Sequence, residues 1–154
     1  MLYFSYGSNM DSAQMRRRCP GAQFVGKASL RDHHLVFPLP DESWGGGVAS
    51  IAPRPDARVE GVLYRLTPED FDALDDFEDV DRGDYARRLV SVQDANGATS
   101  RAWTYVNPRE PGLFIPPSRA YLDAMIRGAV AHGLSSNYIA ELRAIPTTRL
   151  EIGG

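Results

Sequence analysis

The sequence predicts an α+β fold: a small, mixed but mostly antiparallel sheet, curled toward a barrel, with helices packed outside it. Three observations carry that expectation. Strand-like and helix-like stretches come in mixed order without strict alternation, which argues against a doubly wound parallel sheet. Asn96-Gly97 lies between two strand-like runs and is a strong hairpin signal. The 154 residues, 43% hydrophobic and 24% charged, suit one domain with a proper core, read here as spanning 1–154 without repeat or internal boundary.

The elements follow in order. Residues 2–6 read as a first strand. Asp11 or Ser12 is placed to cap a short helix running toward Cys19, which Pro20-Gly21 stops. Residues 23–30 and 33–38 read as two strands broken near Arg31-Asp32. Trp44 to Gly47 is a loop, followed by a small-residue strand from Val48 to Ala52. A turn at Pro55-Asp56 leads into a strand over 59–66. Thr67-Pro68-Glu69-Asp70 starts a helix: Thr67 caps, Pro68 suits the first helical position and the acids suit the first turn. That helix is expected to run to about residue 76. The hairpin around Asn96-Gly97 supplies two more strands. After Pro116-Pro117-Ser118, Leu122, Met125, Ile126, Ala129 and Val130 fall at helical spacing, and Gly133 ends the run. Ser135 or Ser136 opens a last helix with Tyr138, Ile139 and Leu142, closed by Pro146. The expectation is six or seven strands and four helices.

The net charge of −3 offers nothing that would draw the chain to nucleic acid or to an anionic membrane. Arg16-Arg17-Arg18 is a short basic run that reads as a solvated helix face. Cys19 is the only cysteine, so an intrachain disulfide is excluded, in keeping with a reducing cytoplasm. The N-terminus lacks the charged and apolar regions of a signal peptide, and no apolar run is long enough to span a bilayer. A cytoplasmic location is therefore expected.

Nine acids lie between Glu69 and Asp84. Most read as a solvated face, but Glu78 differs. Phe71, Leu74 and Glu78 follow the spacing of one helix face, and Phe71 and Leu74 are the residues that face must bury. If helical phase persists to the last turn, Glu78 lies at the inner end of the apolar stripe; if the end frays, it faces water. In the first case burial and the neighbouring Asp75, Asp76, Asp79 and Asp81 raise its pKa, as suits a general acid–base. Asp79, Asp81 and Gly83 fail the spacing of a calcium loop. Gly45-Gly46-Gly47 lacks the Lys and Ser/Thr of a phosphate loop. Ser8 lacks the Gly-x-Ser-x-Gly context, and His33, His34 and His132 have no spacing that ties them to Ser8 or Cys19. The one cysteine and three histidines form no metal pattern. Tyr6-Gly7-Ser8-Asn9, between strand and helix, is either a plain connector or a turn whose backbone N–H groups receive a carboxylate or an oxyanion.

Taken together, these pieces resemble a known family. Tyr6-Gly7-Ser8-Asn9 resembles the signature loop of γ-glutamylcyclotransferases. "LDDFEDV" with "GDY" resembles that family's catalytic-glutamate segment and puts the catalytic acid at Glu78, with Tyr85 just after it. "PPSRAYLDAMIRGAVAHGLSSNYIAEL" resembles the C-terminal helices and puts Tyr121 at the position of a pocket tyrosine. "EGVLYRL" and the Trp44 to Gly47 loop fall in the expected order, so the resemblance runs from residue 3 to about 143.

The resemblance implies a small mixed barrel with flanking helices, and cyclisation of a γ-glutamyl amide to 5-oxoproline with release of an amine. Neither cofactor nor metal is implied. Glu78 is then the acid–base, Tyr6, Gly7, Ser8 and Asn9 hold substrate, and Tyr85 and Tyr121 either bind the glutamyl group or only pack. The alternatives are a binding module for a γ-glutamyl or other carboxylate metabolite, and a serine hydrolase using Ser8. The partner expected is a small γ-glutamyl molecule, not nucleic acid or membrane; the leaving amine and the oligomeric state, a homodimer included, are left open.

Overall fold

The computed structural model describes residues 1–109 and 112–148; the expected domain span continues through 149–154, outside the described residues. Five strands close into a barrel in the order β1-β3-β2-β4-β5: β1 (Leu2–Ser5), β2 (Gln23–Asp41), β3 (Gly46–Arg65), β4 (Ala86–Asp94) and β5 (Thr99–Val106). β1 meets β5 in parallel, through Tyr3 opposite Trp103, and the other pairings are antiparallel. Among the described residues there are four α-helices: α1 (Ser12–Arg18), α2 (Pro68–Phe77), α3 (Arg119–Ala131) and α4 (Ser136–Arg143). Helices and strands together make the expected α+β barrel. Among the described residues, no helix is long and apolar enough to cross a membrane.

The strand count is lower than expected because two breaks are irregularities within continuous strands. β2 passes through Arg31-Asp32, and β3 passes through Pro55-Asp56. Asp32 and Asp56 take positive φ values of 59° and 65°, and the Asp56 N–H donates to Asp32 Oδ1 at 3.0 Å. The pairing register shifts there, between Arg31 and His33, so the residues read as a turn form a bulged bend in one long hairpin. Prolines at such a bend cost the ladder little, since its hydrogen bonding is already interrupted.

The helices start where their caps dictate. Thr67 and Asp70 exchange side-chain and backbone bonds in a capping box, at 3.1 and 3.0 Å, with Pro68 in the first turn. Ser118 accepts from the Tyr121 N–H at 3.1 Å, and Ser135 from the Tyr138 N–H at 3.2 Å. Asp11 precedes α1, but its carboxylate caps nothing; it faces Arg127 at 3.3 Å instead. Leu122, Met125, Ile126 and Ala129 are buried as expected, while Val130 is 53% exposed.

The core joins Phe4, Val62, Val92, Phe71, Leu74, Leu122 and Met125. Helix α3 lies against a 3-10 turn at Ser8–Met10. At Gly128 a side chain would meet the Met10 backbone carbon at 2.3 Å, so glycine lets the helix touch that turn backbone to backbone.

Candidate active site

The end of β1, the C-terminus of α2 and the tip of the β2–β3 hairpin converge on a cavity of about 180 Å³. Every residue singled out for the site lines it: Tyr6, Gly7, Ser8, Asn9, Glu78, Tyr85 and Tyr121. A wider hollow of about 540 Å³ lies against α4, with His34 and Arg58 on its wall, and holds none of them.

Glu78 is the residue after α2. Its amide still bonds to the Leu74 carbonyl at 2.8 Å, so helical phase carries one residue beyond Phe77 and aims the side chain along the stripe of Phe71 and Leu74. The chain then reverses through Asp79 in the left-handed region, at φ 51°. Glu78 keeps some accessible surface because it opens onto the cavity, but protein encloses it otherwise. That desolvation, opposed by Arg18 and aided by the charges of Asp79 and Asp41, pushes its carboxyl up to about 7.

The like charges differ from those expected. Asp75 is engaged elsewhere: Arg87 grips it with two bonds of 2.8 and 2.7 Å, the Tyr105 hydroxyl donates at 2.7 Å, and its pKa is lowered. Asp41, at the end of β2, contributes in its place. Its carboxylate accepts from the Ser43 hydroxyl and the Trp44 N–H, and so shapes the hairpin tip.

The loop after β1 is tied down from behind. Ser8 Oγ accepts from Gln14 Nε2 at 2.6 Å, and Asn9 Oδ1 accepts from Gln14 at 2.9 Å and from Arg18 Nη1 at 3.2 Å. Asn9 Nδ2 donates to the Tyr3 hydroxyl at 3.0 Å. The Ser8 and Asn9 side chains therefore set the loop's shape. Within the 3-10 turn the amides of Met10 and Asp11 bond to Gly7 and Ser8 carbonyls. The amides of Ser8 and Asn9 come before the first such bond, and the Ser8 N–H is directed toward the Tyr121 hydroxyl. A side chain at Gly7 would come within 3.0 Å of the Tyr121 hydroxyl, so glycine fits there.

Tyr85 and Tyr121 are fastened to one residue of β3, Ala49. The Tyr85 hydroxyl donates to the Ala49 carbonyl at 2.6 Å, and the Tyr121 hydroxyl accepts from the Ala49 N–H at 3.0 Å. Tyr121 thus retains its own proton to donate. The Tyr6 hydroxyl donates to the Tyr105 carbonyl. Burial pushes all three phenols well above the usual tyrosine range, so each stays protonated near neutrality.

Sequence reasoning missed much of the rest of the wall, Tyr3, Arg18, Asp41 and Trp44 among it. Trp44 packs its ring edge-on to Tyr121, with centroids 5.1 Å apart. Arg16 and Arg17 face solvent as expected, but Arg18 turns inward, with its guanidinium 4.8 Å from the centre of the Phe77 ring. Its position one helical turn beyond Gln14, which holds the loop, was the available signal. None of the three histidines lines the cavity, so Ser8 has no imidazole beside it. No cluster of His, Cys, Asp and Glu able to hold a metal ion occurs among the described residues.

Comparison with known proteins gives consistent matches. The sequence profile of the AIG2-like family matches residues 58–142. The γ-glutamylcyclotransferase of Bos taurus is 33% identical over 150 residues, covering 94% of this chain and 78% of the relative. That of Homo sapiens is 32% identical with the same coverage. A solved γ-glutamyl cyclotransferase superposes with a TM-score of 0.92 at 30% identity, covering 98% of this chain and 90% of that one. A yeast glutathione-specific cyclotransferase, at 12% identity and a TM-score of 0.65, shares the fold.

Proposed function

The chain belongs to the AIG2-like family of γ-glutamylcyclotransferases, and on that premise we propose that it converts a γ-glutamyl amide to 5-oxoproline, with Glu78 as general acid and base. The observation that carries this reading is that Glu78, its pKa near 7, shares one small cavity with the loop at residues 6–9.

The α-amine of the substrate attacks its own γ-carbonyl and closes a five-membered ring. Because the attack is intramolecular, holding the chain folded back supplies much of the acceleration; effective molarities of ~10⁵ M or more are reached in such systems. No protein nucleophile is required. The amine arrives largely as an ammonium and gives one proton to the solvent; as the free amine attacks, the Glu78 carboxylate takes a second proton from the same nitrogen. The attack forms the C–N bond and puts negative charge on the carbonyl oxygen, which the amides at Ser8 and Asn9 stabilise. Glu78 then returns the proton to the leaving nitrogen, the C–N bond to the amine breaks, and the carbonyl re-forms. A carboxyl near neutrality serves both transfers. Tyr121, with a proton to donate, and Tyr85, with lone pairs to offer, orient the glutamyl group.

The cavity is smaller than the roughly 300–1,000 Å³ that encloses a drug-sized ligand. That supports enclosure of the glutamyl head with the leaving amine outside. Incubation with a panel of γ-glutamyl amides, scored by 5-oxoproline release, tests the reading. Wild type is expected to release it and Glu78→Gln to fold without doing so. Binding without product would establish the binding module instead.

A further inference from the structure

Arg18 is the one cation on the cavity wall among the described residues, and it shares that wall with Asp41, Glu78, Asp79 and Asp84. Its guanidinium is held in place twice, by the Phe77 ring and by Asn9 Oδ1. Those contacts use one of its five N–H donors. Arg58, Arg87, Arg119 and Arg127 each pair with a carboxylate of the chain; among the described residues Arg18 pairs with none. A positioned guanidinium fork without an anion in an otherwise acidic cavity is a receptor for a carboxylate.

The proposed substrate supplies one. Its α-carbon carries the reacting amine and a carboxylate side by side, so the groups that meet them must also lie close together. Arg18 and Glu78 satisfy this: they share the wall, and the arginine acts electrostatically on the acid. Without a cation, the four acids would repel the carboxylate while attracting the amine.

Resting on the cyclotransferase reading for the identity of the head group, we infer that Arg18 binds the α-carboxylate of the γ-glutamyl substrate and makes that charge a requirement of the site. The fork takes the carboxylate, the amine is thereby presented to Glu78, and the amide end reaches the Ser8 and Asn9 amides. Neutral acyl chains that are able to cyclise are rejected because Arg18 would stay unpaired.

The test compares a γ-glutamyl amide with its α-carboxamide analogue, in which a neutral amide of the same shape replaces the carboxylate. Wild type is expected to prefer the carboxylate by about 10²-fold in kcat/KM, the scale of a lost charged hydrogen-bonded partner. Arg18→Gln should bring the preference within about twofold, mostly through KM, and Arg18→Lys should restore part of it. An arginine that only tunes Glu78 would slow both amides equally and move the acid limb of the pH profile upward, leaving the preference intact; that result overturns the proposal. So does a wild type indifferent to the charge, a measurement that needs no variant to fold. Calorimetric titration with 5-oxoproline, which has the carboxylate without the reacting amine, separates the two readings. A loss of about 10²-fold in binding on Arg18→Gln supports the anchor even where no amide is turned over, and that combination would refute the cyclotransferase reading alone. Binding of 5-oxoproline unaffected by the substitution overturns the anchor.

Discussion

Asp75 and Glu78 leave the same helix end one turn apart and meet opposite surroundings. Asp75 points at Arg87 and the Tyr105 hydroxyl, and these partners hold its pKa low despite partial burial. Glu78 points into the cavity, and burial holds its pKa near 7. The charge on the first is balanced within the fold; the charge on the second awaits a ligand. The residue type decides neither outcome. What differs is whether the neighbouring strand delivers an arginine: β4 brings Arg87 to Asp75, and to Asp72 at 3.7 Å, but not to Glu78.

Substitutions at the two positions should therefore fail in different ways. The largest effect is expected from Glu78→Gln: a loss of about 10³-fold or more in 5-oxoproline formation, with an unchanged circular dichroism spectrum. Asp75→Asn should do the reverse, costing about 2 kcal/mol in denaturant unfolding through its charged hydrogen bonds while changing the rate less than tenfold. A comparable rate loss at both positions would erase the distinction.

The pH dependence of stability sharpens the contrast, because the signs oppose. Folded Glu78 holds its proton more tightly than unfolded Glu78, so its contribution is most favourable below about pH 4.5 and is lost as pH rises to about 7. Glu78→Gln should therefore stabilise the protein above pH 7, on the order of 1–3 kcal/mol, and the gain should vanish near pH 4. Asp75, with its pKa lowered, gives stability that is present above the usual aspartate range and is lost on acidification. Melting curves of both variants across pH should diverge in opposite directions. The smallest effect is expected from Tyr85→Phe: about 1 kcal/mol of stability, from the lost bond to the Ala49 carbonyl, and a modest fall in rate.

The helices could be read in the sequence because their signals are local. Thr67 with Asp70, Ser118 and Ser135 each cap within three residues, and Phe71, Leu74 and Glu78 share a face by spacing alone. The strands were harder. Asp32 and Asp56 accept left-handed backbone and bond across the hairpin, so residues that look like two interruptions make one bend visible only once β2 and β3 pair. The site divides the same way. Glu78 and the 6–9 loop were legible; Arg18 was disguised by two solvent-facing arginines before it, and Asp41 is joined to the cavity only by closure of the barrel.

The close approach of Gly128 to Met10 has a consequence for any survey of tolerated substitutions. A methyl group there has no room, and the displacement it forces would pass straight into the Ser8–Met10 turn and on to the cavity wall. In a saturation screen scored by product alone, position 128 should look as intolerant as the acid itself, although no part of it touches a ligand. Mapping by phenotype would thus draw the site's outline too large on the side of α3.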